Sequence, residues 1–543
     1  MTAKIFIFDT TLRDGAQQEG INLSVADKLT LLPILEQMGA DYIEGGWPGA
    51  IPRDTEFFSK LKTARAEGRD YLQRAKLVAF GATRKAHLEV AEDAQVQALL
   101  AADAPIVCLV AKSDYRHVEQ ALRTTGAENL AMVRDTVTYL REQGREVMVD
   151  LEHFFDGYEF DASYTVSVAR EALAAGASWV ILCDTNGGTL PSRVAKIVQE
   201  LKQELAVAGY PDAQLGIHAH DDSGCAVANS IAAVEAGCRQ VQGTVNGYGE
   251  RTGNANLTTL VPNLALKTDF EVVTEAQLAE YHDCAHAVAE ITNISPAPRQ
   301  PYVGASAFAH KAGLHASAIR VNADLYQHID PLLVGNDMRM IVSDMAGRAS
   351  IELKAREFGI DLAGNPDALS EITNRVKAAE AAGYTYDAAD ASLELLTREI
   401  VFGSRPNYFT VESWAADVSL QKGEGSSEAR VKIHAGGRRL MRIGEGVGPV
   451  DALDRALRTA LKNVYPTLTE FVLTDFKVRI LNPGAATAAT TRVLITISDG
   501  KRTWTTVGVG MDVIEASWEA LTDGYIFGLF QSQIPEQGPS LPE

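Results

Sequence analysis

Near its N-terminus the chain carries Asp9-Thr10-Thr11-Leu12-Arg13-Asp14-Gly15, and far downstream it carries His218-Ala219-His220. Both segments follow apolar runs, Ile5-Phe6-Ile7-Phe8 and Leu215-Gly216-Ile217, so both put ionisable side chains where a strand ends. Two imidazoles two positions apart on a strand point to the same face. With the Asp14 carboxylate they make half of an octahedral shell, which can hold a divalent cation and leave positions open for a substrate. Arg13 cannot lose its proton, so beside such an ion it can stabilise an oxygen that turns negative during reaction. Each reading has a plain competitor: H-x-H can fill an interior layer through hydrogen bonds, and Arg13 can be a structural ion pair with Asp14 or Glu152. What favours the ion is a carboxylate arriving from the first strand, which neighbours strands seven and eight only if the chain closes into a ring.

The pattern of elements predicts that ring. Between residues 1 and 267, β-branched and apolar runs (Ile5–Asp9, Tyr42–Gly45, Leu77–Phe80, Ile106–Val110, Val147–Glu152, Trp179–Asp184, Leu215–His220, Val241–Val245) alternate with segments of helical periodicity. The first such segment runs from Ser24 to Met38, with Ser24 placed to cap its start and Gly39 its end. Eight strand-helix units make an α/β fold, the (β/α)8 TIM barrel, whose chemistry sits at the strand C-termini. Polar residues gather there: Arg13 and Asp14, Glu44, Asp150, Glu152 and His153, Asp184, Thr185 and Asn186, His218 and His220 to Asp222, and Asn246. Gly247-Tyr-Gly-Glu-Arg-Thr-Gly253-Asn254 follows strand eight, where barrels hold ligands on glycine-rich backbone.

Residues 268–407 read as a mostly helical connecting subdomain, and 408–543 as a separate α+β domain in which strands alternate with the helices Pro449–Val464 and Val513–Leu521. His282 and His286 lie four apart on a helix but lack the glutamate of a zinc-protease motif, and they read as structural. Gly444-Glu-Gly-Val-Gly448 lacks the lysine of a phosphate loop and reads as a turn.

Composition narrows the classes. A chain of 543 residues, 46% hydrophobic, should form at least two domains. Its net charge of −21 argues against nucleic acid and anionic membranes as partners. Five cysteines without a C-x-x-C pair, no membrane-length apolar run and no leader pattern predict a cytoplasmic protein with reduced thiols.

Taken together, Asp9–Gly15, His218-Ala-His220 and Gly249-Glu-Arg-Thr-Gly-Asn254 resemble the signature of the acyl-CoA condensing branch of the DRE-TIM metallolyases, the isopropylmalate, homocitrate and citramalate synthases. The tail is similar to the regulatory domain of isopropylmalate synthase at Gly448–Leu453 and Asp512–Ser517. Glu44-Gly-Gly-Trp-Pro48 and Glu152-His-Phe-Phe-Asp-Gly157 most resemble the long citramalate synthases. The resemblance implies Asp14, His218 and His220 as ligands of a divalent metal (magnesium, manganese or zinc), with Asn254 as a fourth or outer ligand. It implies Arg13 at the keto oxygen, and Gln17, Glu44, Thr185 and Glu152 around the 2-oxo acid. His315 is implied as a catalytic histidine with Tyr326 as its partner, both from outside the barrel, acting in cis or from a second protomer.

The expected reaction is condensation of acetyl-CoA with pyruvate to citramalate. The expected regulation is feedback by isoleucine or leucine on a homodimer. Rival readings are condensation with 2-oxoisovalerate or 2-oxoglutarate, a carbon-carbon lyase on the same barrel, and a non-catalytic amino-acid sensor. Trp47 is expected to narrow the pocket toward pyruvate.

Overall fold

The structure is a computed structural model that describes residues 3–311, 313–342, 347–421, 424–482 and 489–536. The chain packs as two units, residues 1–308 with 331–337 and residues 309–330 with 338–543.

In the first unit eight parallel strands close a barrel: β1 (Phe6–Asp9), β2 (Tyr42–Gly46), β3 (Lys76–Ala82), β4 (Ile106–Lys112), β5 (Glu146–Glu152), β6 (Trp179–Asp184), β7 (Leu215–Ala219) and β8 (Gln240–Gly243). Each falls on one of the apolar runs picked out above, because strands covered on both faces need apolar residues almost throughout. The ring closes where β1 pairs with β8, Phe8 opposite Gln242 and Asp9 opposite Gly243. That pairing sets the end of the first strand beside the ends of the last two. Phe8, Tyr42, Val78, Phe80, Ile106, Cys108, Met148, Trp179, Ile181 and Cys183 fill the interior.

Outside the ring, helix Val25–Gln37 begins in a capping box, with Ser24 accepting from the Asp27 amide and Asp27 accepting from Ser24, and it ends just before Gly39. Helix Tyr281–Thr292 also packs in this unit, where the Tyr281 hydroxyl donates to the carbonyl of Met38. Among the described residues no helix is long and apolar enough to cross a membrane.

The second unit contains helices Arg348–Glu357, Pro366–Ala381 and Asp390–Phe402, then two three-stranded antiparallel sheets, each followed by a helix. Strands Thr410–Gln421, Glu424–Ala435 and Arg438–Gly446 precede helix Pro449–Leu461; strands Val472–Ile480, Thr491–Ser498 and Thr503–Gly510 precede helix Val513–Gln531. Gly444 and Gly446, expected in a turn, instead end a strand. A Cβ on Gly444 would lie 2.5 Å from the Ala452 carbonyl and 2.5 Å from the Ala456 amide, so glycine lets the helix backbone rest on the sheet. The second half repeats the device with Gly508 against Ala516 and Ala520. One apolar core, including Val431, Leu453, Leu457, Ile495, Leu521 and Tyr525, runs through both halves.

Candidate active site

Each residue of the segment after β1 has a separate task. Thr11 turns back on Asp9, its amide and hydroxyl both donating to that carboxylate, while its hydroxyl accepts from the amide of Val245 beyond β8. Burial raises Asp9 to about 7 despite those two hydrogen bonds. Thr10 donates to Glu44 Oε2, and Arg13 Nε donates to the same oxygen at 2.6 Å. Glu44 is fully buried, so it meets the site as the counter-charge of Arg13. The guanidinium also lies 3.3 Å from Asp14 Oδ2 and flat on the Phe80 ring, 3.9 Å from its centroid. Burial opposes its charge, but Glu44 and Asp14 outweigh that penalty and hold it firmly protonated.

Asp14, His218 and His220 converge at the C-terminal end of the barrel. All three are buried, and one potential ligand atom from each lies within 4.8 Å of the others; among the described residues they are the group of this kind. His218 Nε2 is 3.4 Å from Asp14 Oδ2 and 2.9 Å from Asn254 Oδ1. Its Nδ1 meets Gln242 Oε1 at 2.7 Å, and Gln242 in turn donates to the buried Asp150. This second contact fixes the ring so that Nε2 is presented to the carboxylate, the way metal-ligating histidines are oriented.

Burial alone would lower His218, but the hydrogen bond and charge of Asp14 prevail and raise it to about 9. Asp14 is held far below the usual carboxylate range: burial works against its charge, and Arg13 and His218 overcome it. His220 falls to about 4 through burial and the neighbouring His218, and its buried Nδ1 has no hydrogen-bond partner among the described residues. A carboxylate kept ionised, a neutral imidazole with an orphaned nitrogen and a second imidazole oriented from behind fit a divalent cation.

The other expected residues fall in four places. Thr185 follows β6; its hydroxyl accepts from the His153 amide and its carbonyl from Arg251. Glu152 ends β5 directly opposite Lys112 on β4, and the two form an ion pair. Gln17 is exposed in the single turn Gly15–Gln17. His315 and Tyr326 belong to the second unit, where their rings stack at 4.1 Å. His286 bonds the carbonyl of Val303, as befits a structural residue.

Sequence patterns single out neither Gln242 nor Lys112, and Arg251 only as part of the glycine-rich loop after strand eight. Gln240-Val-Gln242 was the available signal, since polar residues at alternate positions of a buried strand share the interior face with other strands' side chains. Arg251 pairs with Asp222 through two nitrogens, which ties the loop after β8 to the one after β7.

Residues 4–288 match the HMGL-like family. The chain belongs to that family. Beyond the HMGL-like barrel, residues 302–383 match the homocitrate synthase post-HMGL domain-like family and residues 387–527 the LeuA allosteric (dimerisation) domain. The chain is 57% identical to a protein named (R)-citramalate synthase from Streptomyces coelicolor, over 97% of each. It is 47% identical to another of that name from Synechocystis sp., over 97% of this chain and 96% of the relative. A 2-isopropylmalate synthase from Methanocaldococcus jannaschii is 30% identical, over 96% of this HMGL-like chain and 94% of that protein.

Proposed function

We propose that this chain condenses acetyl-CoA with pyruvate and hydrolyses the thioester, releasing (R)-citramalate and CoA. The observation that carries the reading is the likeness to relatives named (R)-citramalate synthase, 57% and 47% identical along almost the whole chain, against 30% to the 2-isopropylmalate synthase. The barrel chemistry supports it.

Asp14, His218 and His220 would hold a divalent cation, with Asn254 as a further or outer ligand, and that ion supplies Lewis acidity toward the keto group. Magnesium, manganese and zinc all suit two nitrogens and a carboxylate. Arg13, fixed by Glu44 and Phe80, is aimed at the same oxygen and stabilises the charge that builds there. Glu152 and Thr185 position the 2-oxo acid, with Gln17 beside the loop that carries Asp14. His315, with Tyr326 stacked on it, is the proposed base that takes a methyl proton from acetyl-CoA.

The LeuA match supports a dimer whose second unit binds a feedback amino acid, isoleucine before leucine. Five free cysteines fit the reducing conditions of the cytoplasm.

A thiol-release assay with acetyl-CoA and a panel of pyruvate, 2-oxoisovalerate and 2-oxoglutarate tests the reaction. Release confined to pyruvate is expected; preference for either larger acid hands the chain to the isopropylmalate or homocitrate reaction. No release with any of them, but cleavage of a hydroxyacyl-CoA, would make it a lyase. Calorimetric titration of the intact protein should show isoleucine binding, and silence with both isoleucine and leucine removes the regulatory reading.

A further inference from the structure

A polar thread crosses the apolar interior of the barrel. Asp150 alternates on β5 with Met148, a member of the interior cluster, so it points inward as well. Its register partners are Val110 on β4 and Ile181 on β6, which also belong to that cluster or pack on it. Asp150 is buried, and a carboxylate in such surroundings is costly to keep unless its oxygens are used. The proposed reaction gives it no task. Two donors meet its Oδ1, the Cys108 thiol at 3.3 Å and Gln242 Nε2 at 3.1 Å. Gln242 lies on β8, three strands away around the ring, so the second bond spans the interior instead of following the sheet.

Gln242 is the middle of the thread. Its Nε2 donates to Asp150 and, at 3.4 Å, to Gln240 Oε1, while its Oε1 meets His218 Nδ1 at 2.7 Å. An amide keeps its shape when oxygen and nitrogen are exchanged, so shape alone does not decide which of the two His218 meets. Chemistry does. Exchanged, the amide oxygen would face the oxygens of Asp150 and Gln240, acceptor against acceptor; as it stands, both N–H groups have acceptors and the carbonyl is left for the ring. A carbonyl at Nδ1 calls for the proton there, and a neutral imidazole protonated on Nδ1 carries its lone pair on Nε2. Nε2 is the atom on the Asp14 side, 3.4 Å from Oδ2. With the amide exchanged, its N–H would take the lone pair of Nδ1 and drive the proton to Nε2, against a cation.

We infer that Asp150 is a positioning residue for the metal centre: it holds the Gln242 amide in the orientation that keeps the His218 proton on Nδ1 and leaves Nε2 free for the cation. The inference rests on the ligation by Asp14, His218 and His220 proposed above. Asp150 acts through two hydrogen bonds in series, from behind the ligand, and touches neither metal nor substrate. A carboxylate offers an acceptor whichever way it is turned, so a glutamate at position 242 would need no such guidance.

The test uses the full-length protein with zinc alone as the probe, affinity being read by competition with a chromophoric chelator and folding by circular dichroism. Asp150→Ala removes the acceptor, and zinc affinity should fall about 10- to 100-fold, the usual cost of losing a group that orients a metal-ligating histidine. Adding Gln242→Glu to that variant supplies an acceptor at Nδ1 that needs no orienting and should return the affinity to near the parental value, a rescue that mere packing by Asp150 would not allow. Asp150→Asn loses the charge but keeps an oxygen that accepts from Gln242, and should stay much nearer the parent than Asp150→Ala. Asp150→Val replaces Asp150→Ala if the latter does not fold. Parental affinity in the folded acceptor-free variant, no recovery in the double variant, or equal losses for asparagine and alanine overturns the inference while leaving the ligation standing. If the parent binds no zinc, or His218→Ala binds it as tightly, the proposed ligation fails and this inference falls with it.

Discussion

His218 is gripped from two sides, by Asp14 and Asn254 through Nε2 and by Gln242 through Nδ1. Gln242→Leu leaves the ligand in place but frees the ring to rotate, so metal affinity measured by competition with a chelator should fall about 10- to 100-fold. Removing the metal from the parent protein should abolish CoA release, and restoring a divalent ion should recover it. His218→Ala should keep the fold and lose both bound metal and turnover; full activity in a chelator-treated variant would contradict the assignment of the ion. Arg13→Lys keeps the charge and loses the Nε donor to Glu44 and the flat face on Phe80, so kcat should drop on the order of 10²–10³-fold with little change in stability.

At this scale strand parity and residue type single out Arg13, Asp14, His218 and His220, and the structure brings the four together. Glu44 could be named but not understood. That it acts through Arg13 depends on which strands are neighbours, which no local pattern states. Lys112 was silent for the same reason, and the alternation of Gln240 and Gln242 says only that they share a face; the pairing of β4 with β5 and of β7 with β8 brings Lys112 to Glu152 and Gln242 to His218.

Among the elements, the turn after β2 is held by a buried charge pair: Lys28 meets Asp54 and the Gly45 carbonyl, and Asp54 accepts from the Trp47 amide. Lys28 lies on the inward face of helix Val25–Gln37, and burial lowers its pKa even though Asp54 opposes the shift. Lys28→Met strands the Asp54 carboxylate in the interior, and unfolding by urea should show a loss of about 3–5 kcal/mol. The strands of the barrel were legible because doubly covered strands are mostly apolar, the glutamines of β8 excepted, and Ser24 with Gly39 marked the first helix correctly. A lysine among apolar neighbours on a helix gives no such signal, as the same pattern describes a solvated face. Gly444 to Gly448 misled in the opposite direction. Glycine there answers a demand for closeness between sheet and helix, not for a reversal of the chain.

Across the whole molecule, the second unit repeats one scheme of three strands and a helix, with Gly444 and Gly508 in matching places. A Cβ at Gly508 would meet the Ala516 carbonyl at 2.0 Å, so Gly508→Ala should force the last helix off its sheet and cost about 1–3 kcal/mol in that unit. Bound metal should be unchanged, because every proposed ligand belongs to the barrel unit. The alternation of strand and helix made the barrel readable end to end, and in the tail the run of strands then helix in each half was visible too, whereas the matching places of Gly444 and Gly508 emerge only from the packing of helix on sheet.

The pairing of β1 with β8 also has a consequence for how the protein is born. During synthesis Asp14 leaves the ribosome long before the two histidines do, and the proposed ligand set is incomplete until the last barrel strand has docked against the first. On the proposed ligation, uptake of the metal is expected to be a late event, whose timing during refolding would report the moment at which the ring shuts.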